Sequence, residues 1–189
     1  IAIGSYSGAI LGKMMNGLPG LFAGMAVGVV ISVIVAFLVG LPTLRLKGDY
    51  LAIATLGVAE IIRVAVTNMK ITNGAAGISG VPLTNTWTIT YIALVVTTIL
   101  ILNYTFSSAG RATYAVLQDE IAAESMGVQV TKYKILAFVL GAATASIGGT
   151  LSATTLGAVT PSDFTFMKSI DVLIIVVFGG IGSFTGSFV

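Results

Sequence analysis

Long apolar runs alternate with short polar connections along the chain. Residues 21–41, 88–106 and 135–162 contain no charged side chain. A bilayer core about 30 Å thick is crossed by about 20 helical residues, so each run is long enough to span it. Two further apolar stretches complete the pattern. It predicts five spans, at roughly 21–41, 49–67, 88–106, 135–156 and 170–189.

The two ends of the chain are apolar as well. Residues 1–12 are too short to span before Lys13, and they lack the basic segment that precedes the apolar part of a signal peptide. They are typical of the end of a helix. Residues 172–189 are uncharged up to the last position. We therefore expect a single transmembrane domain over 1–189, a fragment truncated at both ends.

Composition supports a membrane protein and excludes several kinds of chemical site. Only 8% of the residues are charged, against about 25% in soluble domains, and 56% are hydrophobic. The chain contains no cysteine and no histidine, which excludes disulfides, thiol chemistry, histidine metal sites and histidine general bases. The predicted fold class is all-α, a polytopic transmembrane helix bundle.

The distribution of Lys and Arg orients the predicted spans. If the connection 107–134 faces the cytoplasm, so does 42–48, and together these connections carry five Lys and Arg residues. The opposite side carries three, at Lys13, Lys70 and Lys168. An excess of positive charge on the cytoplasmic side is the usual arrangement, so this orientation is predicted.

Small residues recur at helical spacing in two spans. Gly20, Gly24 and Gly28 share one helix face, as do Gly141, Ala145 and Gly149. Such residues let helices approach closely in lipid, so these two stripes predict helix packing.

A second kind of glycine pattern lies near the end of the sequence. Residues 179–186 contain four glycines, which weaken a helix and predict a kink or a broken helix near a pathway. The run is not a nucleotide-binding loop, since the chain lacks GxxxxGK[ST].

The segment QDEIAAESMG at 118–127 concentrates the acidic residues. The chain has seven Asp and Glu, and three of them fall within six positions here. Ser107 and Ser108 can cap a helix, and Gly127 suits a helix stop, so a short helix over 111–126 is predicted outside the membrane. It either turns the chain around as a solvated helix or forms a docking surface. Its connection of about 28 residues favours docking.

Three segments resemble one known family. LRLKGDYLAIATLGVAEIIR at 44–63, GRATYAVLQDEIAAESMGVQVTKYKILAF at 110–138 and VVFGGIGSFTG at 176–186 are similar to permease subunits of branched-chain amino acid ABC importers, the LivM-like group. In such permeases a cytoplasmic EAA…G loop carries a coupling helix that sits in a groove of the ATPase. Ala122, Ala123 and Gly127 match that pattern here, with Ile121 in place of its Glu.

The resemblance implies both a site and partners. The ATPase-coupling residues it suggests are Asp119, Glu120, Ile121, Ala122, Ala123, Glu124 and Gly127. It implies a second permease subunit, two ATPase subunits that bind ATP-Mg, and a periplasmic substrate-binding protein, with no cofactor on this chain. The expected location is the bacterial or archaeal plasma (inner) membrane, in multi-pass form. The expected activity is import of leucine, isoleucine or valine by alternating access; relatives carry urea or short amides.

Ionisable residues within a predicted span suggest the translocation path. Glu60 lies about 16 Å along the helix from Asp49, near the middle of the membrane, with Arg63 three residues later. Charges at this depth are costly and face the bundle interior, water or a partner charge. The pair either holds the bundle together or lines the path.

Further path candidates are glycine-rich or acidic. The segment 73–82 is either a turn or a contact for the binding protein or substrate. Asp163 and Asp171 would meet a substrate ammonium or stand at a helix N-terminus. The candidate path or substrate residues are Glu60, Arg63, Asn73, Gly74, Asp171, Gly179 and Gly180.

Other functions are considered beside import. An autonomous secondary transporter would need no ATPase, so it would tolerate disruption of 111–126. An intramembrane aspartyl protease would need two membrane aspartates, and Asp49 lies in LKGD, which lacks the first glycine of GxGD. No catalytic constellation is found, and we expect no enzyme activity. A passive structural subunit remains a further possibility.

Overall fold

Helices dominate a computed structural model that describes residues 1–15, 17–46 and 49–180. Strand is confined, within these ranges, to two segments of two residues. The predicted all-α fold class is therefore confirmed. The elements are α1 (Ala2–Met14), α2 (Leu18–Thr43), α3 (Asp49–Asn68), β1 (Ile78–Ser79), α4 (Trp87–Phe106), α5 (Ser108–Gln118), α6 (Glu120–Ser125), α7 (Val130–Leu156), β2 (Ala158–Val159) and α8 (Phe166–Phe178).

Four of these helices are long and apolar enough to cross a membrane. They are Leu18–Thr43, Tyr50–Asn68, Trp87–Phe106 and Val130–Leu156, in good agreement with four of the predicted spans. The largest shift is in α7, which begins at Val130 rather than at 135. The fifth predicted span begins within α8, but residues 181–189 lie outside the described ranges.

The helices α1, α2 and α7 pack against one another and form the core of the bundle. A Cβ added at Gly24 of α2 would lie 2.8 Å from the Cα of Gly8 in α1, so the helix backbones touch there. The predicted packing role of Gly20, Gly24 and Gly28 is confirmed, since each has other backbone atoms against it. We call α1, α2 and α7 the three-helix core.

The second predicted stripe is only partly correct. Gly149 packs tightly against the start of α1, but a Cβ at Gly141 would meet nothing within 4 Å. The packed face of α7 runs instead through Ser146, Gly149 and Thr150, all buried. Helical spacing locates a possible stripe, but several stripes share one helix, and the neighbouring helices decide which of them is buried.

Hydroxyl groups join the three core helices by hydrogen bonds. Ser5 Oγ donates to Gly149 O at 2.9 Å, and Thr150 Oγ1 donates to Gly4 O at 2.9 Å. Ser7 Oγ links α1 to α2 by donating to Gly24 O at 3.1 Å. In each case the acceptor is a glycine carbonyl. Because glycine has no side chain, the hydroxyl of the neighbouring helix can reach it. Small residues and hydroxyls together replace the hydrophobic driving force that lipid removes.

The two ends of the core differ in what covers them. At one end, β1 pairs antiparallel with β2, with Ile78 opposite Val159, and so joins two connections. Lys13 Nζ donates to Ser79 O there at 2.9 Å. At the other end, α5 and α6 pack against α7. We call these the β1–β2 end and the α5–α6 end.

Candidate functional site

The α5–α6 end begins where α4 stops. Ser107 is the N-cap of α5, and its Oγ accepts a hydrogen bond from Gly110 N at 3.1 Å. The same hydroxyl donates to Tyr104 O at 2.6 Å. Tyr104 and Thr113 are also joined through their side-chain oxygens, 2.7 Å apart. The predicted cap at Ser107 is confirmed, and it fixes the angle at which the chain leaves α4.

The predicted single helix over 111–126 is wrong in one respect, because two helices lie there. Asp119 has extended backbone and separates α5 from α6. Its Oδ1 accepts hydrogen bonds from Ile121 N at 2.8 Å and from Ala122 N at 3.1 Å. Aspartate is among the best N-caps, because its carboxylate satisfies backbone N–H groups that have no partner within the helix. The break at Asp119 is therefore a built feature of the segment.

Gly127 closes α6, as predicted from its position. Its φ of +82° is in the left-handed region that favours glycine. Gly127 N donates to Glu124 O at 2.9 Å, and Val128 N donates to Ala123 O at 3.0 Å. These bonds satisfy the last carbonyls of α6 and set the direction in which the chain enters α7.

Two residues of α6 attach it to the rest of the protein. Ala123 is 5% exposed, so its methyl group is packed inward. Glu120 Oε1 lies 2.5 Å from Lys134 Nζ of α7. Two of the three acids of this segment thus have partners within the chain: Asp119 caps the backbone and Glu120 pairs with α7. Glu124 lines an open groove of about 870 Å³ beside Phe37 of α2.

Large apolar side chains of the same segment point away from the protein. Tyr114 and Leu117 of α5 are 62% and 70% exposed, and Ile121 and Met126 are 76% and 83% exposed. We call these four residues the exposed apolar set. Spacings of three and four residues between Tyr114, Leu117 and Ile121 are a sequence signal for this set, whereas Met126 is found only by its position beside the Gly127 turn. Large exposed apolar side chains mark interaction sites when they cluster.

Glu60 and Arg63 form an ion pair within α3. Arg63 Nε donates to Glu60 Oε1 at 3.1 Å and to Oε2 at 2.9 Å, and a second guanidinium nitrogen also contacts the carboxylate. Glu60 also lines a cavity of about 210 Å³ between α3 and residues 164–169. Phe164, Phe166 and Ser169 contribute to its wall. The cavity combines an acid, a hydroxyl and aromatic surface.

The other path candidates have local partners of their own. Asn73 is in the left-handed region, with φ of 61°, and its Nδ2 donates to Gly77 O at 3.1 Å. Gly74, with φ of +62°, begins the 3₁₀ turn that follows. Segment 73–82 therefore forms a turn and then β1, which is one of the two readings considered for it.

The two aspartates have different surroundings. Asp163 caps a 3₁₀ helix, its Oδ2 accepting from Thr160 N at 2.9 Å, so the N-terminal role is confirmed. The placement of Asp171 at a helix N-terminus is wrong, because α8 already begins at Phe166. Asp171 instead lies 3.8 Å from Lys168 on an exposed face.

The helix α8 ends at Phe178, with Gly179 as its C-cap residue. Gly179 N donates to Ile175 O at 2.9 Å, and Gly180 has φ of +91°. The remaining glycines of the run lie outside the described residues. Among the described residues, Glu60 and Arg63 are the path candidates that contact each other through their side chains. In that same part, no group of three His, Cys, Asp or Glu side chains could hold a metal ion.

Comparison with known proteins gives consistent matches. The family model described as "Branched-chain amino acid transport system / permease component" matches residues 1–189. The high-affinity branched-chain amino acid transport system permease protein LivM of Salmonella typhimurium is 37% identical over 217 residues, which cover 96% of this chain and 51% of that protein. LivM of Escherichia coli K12 is 36% identical over the same shares.

A second permease protein matches a smaller part. The high-affinity branched-chain amino acid transport system permease protein LivH of Salmonella typhimurium is 33% identical over 54% of this chain and 32% of its own length. No solved structure matches the chain. The chain spans about half the length of the LivM proteins it matches.

Proposed function

This chain belongs to the family of branched-chain amino acid transport system permease components, and on that premise we propose that it is the membrane-spanning part of a permease subunit in an ABC importer. Its relatives are transport permeases and not enzymes. The proposed cargo is leucine, isoleucine or valine. The match to LivM over 96% of the chain, against 54% for LivH, supports a LivM-like place in a pair of different permease subunits.

The α5–α6 end is proposed as the surface that meets the ATPase. The single observation that carries this proposal is the exposed apolar set, on a segment where Asp119 and Glu120 already have partners within the chain. A surface helix with no partner would be expected to bury its large apolar residues against the protein. Here Ile121 is 76% exposed and Ala123 is 5% exposed, which suits a segment that has an apolar partner.

The remaining parts of the importer follow from this placement. The α5–α6 end would face the cytoplasm of a bacterial or archaeal cell, and the β1–β2 end would face a periplasmic binding protein. ATP-Mg would bind to the two ATPase subunits. Their closure would move α6, and the transmembrane helices would expose the path to each side in turn. Glu60 and the cavity beside it are proposed as part of the path, with Arg63 as its partner.

The remaining path candidates are proposed from their positions alone. Asn73 and Gly74 belong to a turn at the β1–β2 end, where a delivered substrate would arrive. Asp171 is 62% exposed at its side chain, and Gly179 and Gly180 end α8.

A matched pair of substitutions tests the proposed ATPase surface. Ile121→Asp places a charge in the exposed apolar set, and Ile71→Asp makes the same change at the opposite end. The two isoleucines are 76% and 75% exposed, so neither substitution disturbs a packed core. Substitutions at Ala123 or Gly127 would be less clear, because the first is buried and the second has a positive φ.

The measurement is a detergent pull-down of the complete subunit with its co-expressed ATPases, followed by uptake of leucine, urea and a short amide into cells. We expect wild type and Ile71→Asp to retain the ATPase and Ile121→Asp to lose most of it. Leucine uptake should depend on the ATPase and exceed uptake of the amides. Uptake that survives without any retained ATPase would support a secondary transporter instead.

A further inference from the structure

Three ion pairs occur among the described residues, and they differ in what they join. Glu60–Arg63 and Lys168–Asp171 each link residues three apart on a single helix. Glu120–Lys134 links residues fourteen apart on two helices, α6 and α7. Within the described chain it is therefore the ion pair that ties one helix to another, and it does so at the α5–α6 end.

The pair contributes little to folding stability. The side chains of Glu120 and Lys134 are 41% and 25% exposed, and partly exposed pairs of this kind are worth about 0–1 kcal/mol. Its importance lies in position. A helix of six residues cannot hold itself together in isolation, so the orientation of α6 depends on its attachments. These are the Asp119 cap, the buried Ala123, the Gly127 turn and the contact with Lys134.

Lys134 stands on the helix that reaches the three-helix core. It lies in the second turn of α7, whose later residues Ser146 and Thr150 pack against α1. The α5 helix also packs on α7, with Val116 buried, but apolar contacts are not directional. The ion pair adds a directional contact that resists sliding of α6 along α7, as charged pairs set register between surfaces.

We propose that Glu120 and Lys134 are a positioning pair that makes α6 and the start of α7 move as one body. Through this pair a displacement of α6 by the ATPase reaches the three-helix core. The inference rests on the proposed function, since it needs an ATPase at the exposed apolar set. Neither residue needs to touch the substrate. The pair sets how much of each ATPase cycle becomes transport.

Single substitutions distinguish the loss of the ion pair from the loss of a positive charge. Lys134→Gln removes the contact, and Lys132→Gln removes the same charge two residues earlier on α7, at an exposed lysine without an ion pair in the described structure. Lys134→Arg keeps the charge and the reach. Glu120→Gln and the Glu120→Gln, Lys134→Gln double variant complete a double-mutant cycle, which isolates the pairwise contribution.

The measurement uses the complete subunit, assembled with its ATPases and the second permease subunit in lipid vesicles. ATPase retention, ATP hydrolysis and leucine uptake are measured on the same preparations. We expect Lys134→Gln to retain the ATPase and hydrolyse ATP while uptake per ATP falls roughly fivefold or more, the lower end of coupling between distant sites. The double variant should lose no more than either single variant. Lys132→Gln and Lys134→Arg should behave as wild type.

The outcomes distinguish this inference from the proposed function. Unchanged uptake per ATP in Lys134→Gln overturns the inference alone, provided that wild type retains the ATPase and Ile121→Asp does not. Additive losses in the double variant overturn it as well, because the two side chains would then act separately. If wild type retains no ATPase, the proposed function and the inference both fail.

Discussion

The helices α7 and α3 have the same mean hydropathy over their most apolar windows, yet they are packed very differently. In that window α7 has 28% of its residues buried and α3 has none. Among the other two long helices, α2 of the core has 22% of its window buried and the outlying α4 has none. Apolar character therefore does not decide which helices form the core of this protein.

Small residues and buried hydroxyls make the difference. In lipid, an apolar side chain gains little by moving from the bilayer to another helix, so close backbone contact and hydrogen bonds carry the association. Gly4, Gly8 and Gly28 touch neighbouring helices in the three-helix core, whereas a Cβ at Gly57 of α3 would meet nothing within 4 Å. Two variant pairs and one single variant test this contrast, in decreasing order of effect on stability.

Adding one methyl group in the core should have the largest effect. A Cβ at Gly4 would overlap the carbonyl oxygen of Ser146 and lie 2.7 Å from its Cα. Backbone atoms cannot move aside as a flexible side chain can, so α1 and α7 must separate. We expect Gly4→Ala to lower the free energy of unfolding in detergent by about 1–3 kcal/mol.

Gly57→Ala is the matched control for that variant. It should leave stability unchanged or raise it slightly, because alanine favours helix over glycine. Denaturant titration of the purified subunit, followed by circular dichroism, measures both. Equal losses for Gly4→Ala and Gly57→Ala would show that the core and the outlying helices do not differ as the structure indicates.

Removing one buried hydroxyl should have a smaller effect. Thr150 Oγ1 donates to Gly4 O across helices, while Thr98 Oγ1 in α4 donates only within its own helix, to Leu94 O at 2.8 Å. Valine has nearly the shape of threonine without the hydrogen bond. Thr150→Val should cost about 0.6–1.5 kcal/mol by the same titration, and Thr98→Val close to nothing. A larger loss at Thr98 would contradict the assignment.

Neutralising Glu60 should have the smallest effect on stability and a clear effect on transport. Its side chain is 54% exposed and its ion pair is within one helix, so Glu60→Gln should change the free energy of unfolding less than Gly4→Ala or Thr150→Val does. If the residue lines the path, leucine uptake falls while ATPase retention is unchanged. Normal uptake by this variant would remove Glu60 from the path.

Local sequence patterns predicted much of the α5–α6 end. The cap at Ser107 and the stop at Gly127 follow from preferences of single residues for particular backbone positions, and both are confirmed. The break at Asp119 was missed, although aspartate is a good cap, because the helix formers around it favour continuing the helix. The contact between Glu120 and Lys134 could not be predicted, since it joins residues fourteen apart whose helices meet only in the folded protein.

The sequence by itself determined the class of the protein, its four described spans and its resemblance to a transport family. These follow from hydropathy over about 20 residues and from motifs within one segment, both of which are short-range properties. Tertiary structure decided that Gly149 packs while Gly141 lies open, that Glu120 pairs with Lys134, and that Ala123 is buried while Ile121 and Met126 face outward. Each of these outcomes depends on which helix packs against the residue. That helix comes from a distant part of the chain, so the local sequence pattern does not reveal it.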